Sequence, residues 1–372
     1  MKKIAFYAPL KPAGHPVPSG DRLMARQLIG LLEQAACEVD VASEQRAFLR
    51  DAHDQAALQA LQQSCEREVQ RLTRQWQEHG APDAWFCYHP YYKSPDLIGP
   101  VLCQAFDVPY VTAEASLSAR RNEGLWADMQ ERVREAIELA AVNLCFTRRD
   151  RLGLQAAAPK ARLADLQPFI DTQAFTTELN GHDPHHLVAV AMMRGGDKLH
   201  SYQHLASALQ SLLHLPWQLS IVGDGPLQAD VRQLFSAIPD TRIHWHGQLE
   251  PAAIAQLFAR CGLYVWPGCG EAYGLAYLEA QAAGLPVVAY RTAGVPEVVC
   301  DRQGGVLTPP ADATAYAAAI GRLLSDTALQ QRMAVAATER VQREHSTQAA
   351  VRTLQTLLQG HLWDDHQADA RS

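Results

Sequence analysis

The sequence predicts an α/β chain built from two Rossmann-like, doubly wound parallel sheets, and three observations carry that expectation. Short β-branched or aromatic runs alternate with longer helix-period segments along the whole chain, the pattern of βαβ units. A length of 372 residues suits two domains better than one. A polar, turn-forming stretch near the middle, Asn180-Gly181-His182-Asp183-Pro184, suits a linker.

In the first half, strands are expected at Lys3–Tyr7, Glu38–Ala42, Ala84–Tyr88, Tyr110–Thr112, Asn143–Thr147 and Leu163–Leu166. Leu58, Leu61, Cys65, Val69, Leu72 and Trp76 recur at three- and four-residue spacing, so their segment is a helix with one apolar face on the first sheet. In the second half, strands are expected at Leu187–Met192, Gln218–Val222, Arg242–His246, Leu263–Trp266, Pro286–Ala289 and Gly305–Leu307. Residues 1–172 then form the first domain, 173–186 the linker and 187–346 the second domain. The helical pattern at 347–362 is expected to pack back on the first, and the polar tail Asp364–Ser372 to fray.

Composition excludes several classes. Hydrophobic residues are 48% and charged residues 20%, a globular balance. Lys plus Arg number 33 against 40 Asp plus Glu, a net charge of -7, so no overall positive field invites nucleic acid. Lys2 and Lys3 precede an apolar run as in a signal peptide, but Pro9 and Lys11 cut it short and it reads as a first strand. No other stretch is apolar for long enough to cross a bilayer. The expectation is a soluble, cytoplasmic protein, at most peripheral at the inner face of a membrane. Eight scattered cysteines without a C-x-x-C pair read as reduced and mostly buried, and structural zinc is not expected.

The segment Trp266-Pro267-Gly268-Cys269-Gly270-Glu271-Ala272-Tyr273-Gly274-Leu275-Ala276-Tyr277-Leu278-Glu279 reads as strand, glycine-rich loop and helix start. Glycines let a ligand approach the backbone, and the free amides opening the helix at Leu275–Tyr277 suit an anion such as a diphosphate. Glu271 lies before that start and Glu279 within the helix, about 12 Å or less apart, a length on which a nucleotide-sugar can lie. Arg194-Gly195-Gly196-Asp197-Lys198 follows another strand and is expected to offer two cations on a flexible loop. Gly223-Asp224-Gly225-Pro226 ends the next strand in a turn beyond its carboxyl end, where open α/β sheets bind ligands.

With these residues the chain resembles the retaining glycosyltransferases of family four, whose fold is named GT-B: two Rossmann-like domains facing each other across a cleft. The family's paired glutamates match Glu271 and Glu279, its Arg and Lys match Arg194 and Lys198, and its G-x-G-x-P turn matches Gly223–Pro226. Gly294-Val295-Pro296-Glu297 and Gln167-Pro168-Phe169-Ile170-Asp171 also fit. The resemblance implies that Glu271 bonds the donor hexose and Glu279 the ribose. Arg194, Lys198 and the backbone through Ala272, Tyr273, Gly274 and Leu275 would hold the diphosphate and stabilise it as leaving group. It places the base near Gly247 and Gln248, and counts Gly223 and Gly225 among the nucleotide-sugar-binding residues. It also matches His89 to a histidine at a strand end and Gly20 to the second glycine of the first loop.

The implied activity is metal-independent, front-face transfer of a hexose from a nucleoside diphosphate sugar to a glycan or lipid-linked acceptor, in polysaccharide or glycoconjugate synthesis. No cofactor is implied, because the sugar nucleotide is a co-substrate. A covalent intermediate on Glu271, a nucleotide-sugar epimerase on the same scaffold, and a binding protein that lost catalysis stay open as alternatives. Three departures from the family pattern stand out. Arg194 and Lys198 are one residue closer than the commoner spacing, Leu199 replaces a glycine, and Thr112-Ala113-Glu114 carries a glutamate where the family has a histidine.

Other features have bland readings beside functional ones. His244 and His246 share a strand face and, with His182, His185 and His186, raise a metal reading, but no third ligand has sensible spacing. Arg120, Arg121, Arg132, Arg134, Arg148, Arg149 and Arg151 read as a solvated surface with partners such as Glu131 and Glu135, or as a patch for an anionic acceptor or membrane. Tyr88, Tyr91, Tyr92 and Trp126 suit either a sugar-stacking surface or burial against the sheet.

Overall fold

The computed structural model describes residues 1–17, 19–175 and 182–363. They form two compact units, one of residues 1–167 with the stretch from Ala350 onward, the other Pro168–Ala349. The division after Gln167 falls earlier than the expected boundary at 172, and hydrogen bonding explains it. Within the second unit Pro168 O accepts from His345 Nδ1 at 2.7 Å, and Ile170 pairs with Ser346. Of the expected linker 173–186, residues 176–181 lie outside the described residues, and Asp183 already begins a strand. The expected tail Asp364–Ser372 also lies outside them.

The first unit carries β1 (Lys2–Tyr7), β2 (Cys37–Ser43), β3 (Ala84–Tyr88), β4 (Tyr110–Ala113), β5 (Val142–Cys145) and β6 (Leu163–Asp165). They join as one parallel sheet in the order β2-β1-β3-β4-β5-β6. β3, β4 and β5 are buried at every residue, which is why they read as unbroken apolar runs rather than alternating ones. The helix Gln55–His79 buries Leu58, Leu61, Cys65, Leu72 and Trp76, the stripe its periodicity predicts. Trp76 meets Trp85 of β3 edge-on at 6.2 Å.

The second unit carries β7 (Asp183–Val190), β8 (Gln218–Val222), β9 (Ile243–Gly247), β10 (Cys261–Val265), β11 (Val287–Tyr290) and β12 (Gly305–Thr308). Their order is β12-β11-β10-β7-β8-β9, again all parallel. Chain order reverses at one place in each sheet, between β1 and β3 and between β7 and β10. Such switch points open a crevice beyond the strands' carboxyl ends, where α/β sheets take ligands. The fold thus nominates one position in each unit.

Among the described residues no helix is long and apolar enough to cross a membrane. All eight cysteines are free thiols, and only Cys269 and Cys300 are not buried.

Candidate functional site

At the second unit's switch point, the loop after β7 faces the loop after β10. Lys198 is not on a flexible loop as expected: it is the second residue of the helix Asp197–Ser211, which starts after Gly196 at φ 73°. That helix fixes its direction, and its ammonium lies 2.5 Å from Glu271 Oε2. Both side chains are about four-fifths buried, at 18% and 20% exposure, so water screens the pair only partly. The ammonium also lies 5.6 Å from the centre of the Trp266 ring, a cation–π contact that steers it from a third side. Arg194, by contrast, is exposed and joins no ion pair among the described residues. The structure therefore brings Lys198 and Glu271 together and leaves Arg194 at the rim.

The glycines have physical causes. A Cβ at Gly270 would lie 2.0 Å from an Asp197 carboxylate oxygen, and one at Gly268 2.1 Å from the Tyr277 hydroxyl. Gly274 at φ 80° is the N-cap of the helix Leu275–Ala282 and offers no capping side chain, which leaves the Leu275 and Ala276 amides uncapped for an anion, whereas the Tyr277 amide expected to be free donates to Gly274 O at 3.1 Å. Ser201 Oγ, which accepts from the Cys269 amide at 2.9 Å, ties this loop to the Lys198 helix. Ala272 is exposed, while Tyr273 is buried.

Glu279 sits on the second turn of that helix, and burial pushes its carboxyl up to about 7. A carboxylate desolvated without a compensating cation is a costly arrangement, and a ligand offering hydroxyl donors would relieve it. The charges of Glu271 and Glu279 are both felt at the Tyr264 hydroxyl, so the two carboxylates bracket one region of the unit.

Gly223 and Gly225 serve loop packing first. A Cβ at Gly223 would lie 2.0 Å from Ala191 O, and one at Gly225 2.4 Å from Met193 O. Met193 N donates to Asp224 O, Leu227 N to Met193 O, and Gly223 N to Gly247 O. These bonds stitch the turns after β7, β8 and β9 together. Gly247 takes φ 64° in open space, and Gln248 beside it is exposed.

In the first unit the switch point lies between β1 and β3. Gly20 opens the helix Gly20–Gln34, capped by Ser19 accepting from Arg22 N. Asp21 in its first turn lies 3.3 Å from His89 Nδ1, just past the end of β3. Glu114 follows β4, the next strand, and accepts from Tyr88 OH at 2.9 Å. His89 and Glu114 both hold left-handed backbone, φ 59° and 55°, fixed by bonds from His89 N to Ala113 O and Glu114 N to Leu144 O. Two strained residues side by side mark a place where conformation is held against local preference. Burial disfavours the His89 imidazolium, but Asp21 and Glu114 outweigh it and His89 lies above its ordinary range. Burial also raises the Glu114 carboxyl, against the opposing pull of His89 and Tyr88.

Sequence reasoning missed Asp21, Trp266, Asp197 and Ser201. Asp21 and Asp197 each adjoin a glycine at a helix start, and that was the available signal. The remaining clusters resolve as structure. His186 and His246 each approach Ser220 Oγ at 2.9 Å, and His244 approaches Gln218. No group of three or more residues suited to a metal occurs among the described residues. Arg134 pairs with Glu131 and Glu138 rather than Glu135, because spacings of three and four share a helix face. Tyr92 packs edge-on to the buried Trp126 at 5.4 Å.

Residues 184–326 match the family model described as Glycosyl transferases group 1. The alpha-D-kanosaminyltransferase of Streptomyces kanamyceticus is 28% identical over 71% of each chain. The sulfoquinovosyl transferase SQD2 of Arabidopsis thaliana is 32% identical over 34% of this chain and 25% of its own length. This chain thus spans only a quarter of that relative, and 14% of an exopolysaccharide phosphotransferase of Streptomyces coelicolor that is 38% identical over 136 residues. Among solved structures, sucrose-phosphate synthase from Thermosynechococcus elongatus superposes at a TM-score of 0.74 with 20% identity, covering 100% of both chains. HepE of Anabaena in complex with UDP superposes at 0.69 with 16% identity, covering 97% of this chain and 100% of its own. Residues 184–326 are thus similar to the Glycosyl transferases group 1 family, and the two six-stranded parallel sheets match the GT-B fold.

Proposed function

We propose that the chain is a retaining, metal-independent hexosyltransferase that moves a sugar from a nucleoside diphosphate donor to a glycan or lipid-linked acceptor. The observation that carries this reading is the largely buried Lys198–Glu271 pair beside the uncapped start of the Leu275 helix. A cation and a row of amides are held where a leaving diphosphate gains charge, and preorganised donors of this kind dominate such catalysis. In this reading Glu271, on the same ion pair, takes hydroxyls of the donor sugar, and Glu279 those of the ribose. Arg194 at the rim completes the neutralisation when a donor arrives.

In this reading the anomeric carbon–oxygen bond breaks with its electron pair passing to the diphosphate. The acceptor oxygen bonds the same carbon on the same face, and its proton passes to the departing phosphate oxygen. The charges to be met are then those Lys198 and the helix amides face. A cytoplasmic setting, with contact at the inner face of a membrane for a lipid-linked acceptor, suits this activity. UDP-sugars are the first donors to test, since HepE binds UDP.

The test is a screen of UDP-, GDP- and ADP-sugars for thermal stabilisation and for nucleotide release with candidate acceptors, since a ligand stabilises in proportion to its affinity. One nucleotide is expected to stabilise the chain, and the product's anomeric configuration, read by NMR, to match the donor's. An inverted product, or no nucleotide binding at all, overturns the reading.

A further inference from the structure

The loop that follows β1 is held in an unusual way. Arg46 Nε donates to Leu10 O at 2.8 Å, Arg26 Nε to Ala13 O at 2.8 Å, and Arg22 Nη1 to His15 O and Pro16 O at 2.9 and 3.1 Å. Three guanidinium groups thus lash one short loop through its carbonyls. Carbonyl oxygens satisfy their hydrogens and leave their charge uncancelled. None of Arg22, Arg26, Arg46 or Lys11, which lies on the same loop, joins an ion pair among the described residues.

Two carboxylates stand near these four cations. Asp21 is engaged by His89 at 3.3 Å, and the exposed Glu44 lies against Gly14. Burial, with the like charges of Arg46 and Arg22, outweighs Asp21 and holds the Lys11 ammonium below its ordinary range. Like charges crowded against one another, at a switch point beyond the end of a strand, are relieved by an anion.

Tyr91 supplies a platform on the same side. Its ring lies 5.3 Å from the His89 ring at 36°. Its hydroxyl, within the fields of Asp21 and Arg46, is pushed up to about 12 by burial and stays a neutral donor. The turn carrying it is fixed by reciprocal bonds between Tyr91 and Ser94. Aromatic face, hydroxyl donor and clustered cations are the elements that recognise a sugar bearing a negative group.

We infer that Lys11, with Arg46 and Tyr91 beside it, forms an anion subsite in the first unit that takes the phosphate or carboxylate of a sugar acceptor. The assignment to the acceptor rests on the transferase reading; the anion site itself does not. The test uses the full chain with its preferred nucleoside diphosphate at saturation, so that the second unit's cations are occupied. Glucose 6-phosphate, glucuronate and glucose are titrated by calorimetry. One or both anions are expected to bind about tenfold or more tighter than glucose, as charge-assisted bonds imply. The stronger of the two identifies phosphate or carboxylate as the native group.

Lys11→Met and Arg46→Gln should each erase the preference, while Lys11→Arg keeps it; circular dichroism checks that the variants fold. Equal affinity for all three sugars, no binding of either anion, or a preference that survives both neutralising substitutions overturns the subsite. Nucleotide binding would persist in each of those cases, whereas failure of the transferase reading would show as absent nucleotide binding or an inverted product.

Discussion

The two switch points solve the same placement problem by different means. In the second unit the backbone makes the site: glycines at 223, 225, 268, 270 and 274 all have positive φ, and a Cβ at each would meet a neighbour. In the first unit side chains make it, through Asp21 at a helix start and His89 and Glu114 just past strand ends. Under the proposed function the second unit would meet a diphosphate, which presents the same oxygens in every donor, so amides and one fixed cation would suffice for it. The first would meet a sugar acceptor, which varies, and side chains are where such variation is accommodated. The difference teaches that a rigid backbone-built site suits an invariant group and a side-chain-built one suits a variable partner.

The largest expected effect breaks this comparison at its base. Gly223→Ala would put a Cβ 2.0 Å from Ala191 O in a residue at φ 131°. It should cost more than about 3 kcal/mol in urea unfolding, the range reserved for backbone strain and overpacking. Gly20→Ala meets nothing within 4 Å and lies in a helix's first turn, so its change should stay within about 1 kcal/mol. Equal costs at the two positions would contradict the contrast between a backbone-built and a side-chain-built site.

Next in size is Lys198→Ala, which removes the cation and leaves Glu271 buried without its partner. Nucleotide release in the presence of acceptor should fall by about a hundredfold or more, with circular dichroism unchanged. Full turnover in this variant would move the leaving-group role elsewhere, Arg194 being the first place to look.

Glu279 gives a smaller effect of opposite sign on stability and binding. Its carboxyl is raised from 4.5 to about 7 by burial, so the stability it supports is fully present below 4.5 and lost as pH rises through 7. At pH 8 Glu279→Gln should therefore be more stable than the parent by about 1 to 3 kcal/mol, at about 1.4 kcal/mol per pKa unit. At pH 4 the two should unfold alike. Weaker nucleotide binding in the more stable variant would mark Glu279 as a residue kept for binding at a cost in stability.

The same contrast explains what the sequence disclosed. The central strands were legible because buried parallel strands are uninterrupted β-branched and aromatic runs, and a glycine that must be a glycine leaves a trace at fixed spacing. Lys198 and Glu271 were each legible through their loops, but neither their pairing nor the helix beneath Lys198 was: Gly195 and Gly196 suggested a flexible loop and hid a helix that begins without a side-chain cap. Asp21 and Lys11 were not legible, because their meaning comes from strands brought together by the topology. Nothing local in Asp21 announces His89, far along the chain at the end of the neighbouring strand.

The smallest expected effect probes the first unit alone. His89 lies above its ordinary range although burial opposes its charge, because Asp21 and Glu114 both favour the imidazolium. Glu114→Gln keeps an acceptor for the Tyr88 hydroxyl, which reaches Glu114 at 2.9 Å, and removes only the charge. The His89 titration, followed by NMR, should move downward without loss of fold. Asp21→Asn should also move it downward, since it removes the carboxylate charge 3.3 Å from Nδ1. If Glu114→Gln leaves His89 unmoved while Asp21→Asn lowers it, the histidine answers to the helix start alone. Glu114, at a strained position beside it, would then be held there for a ligand rather than for its neighbour.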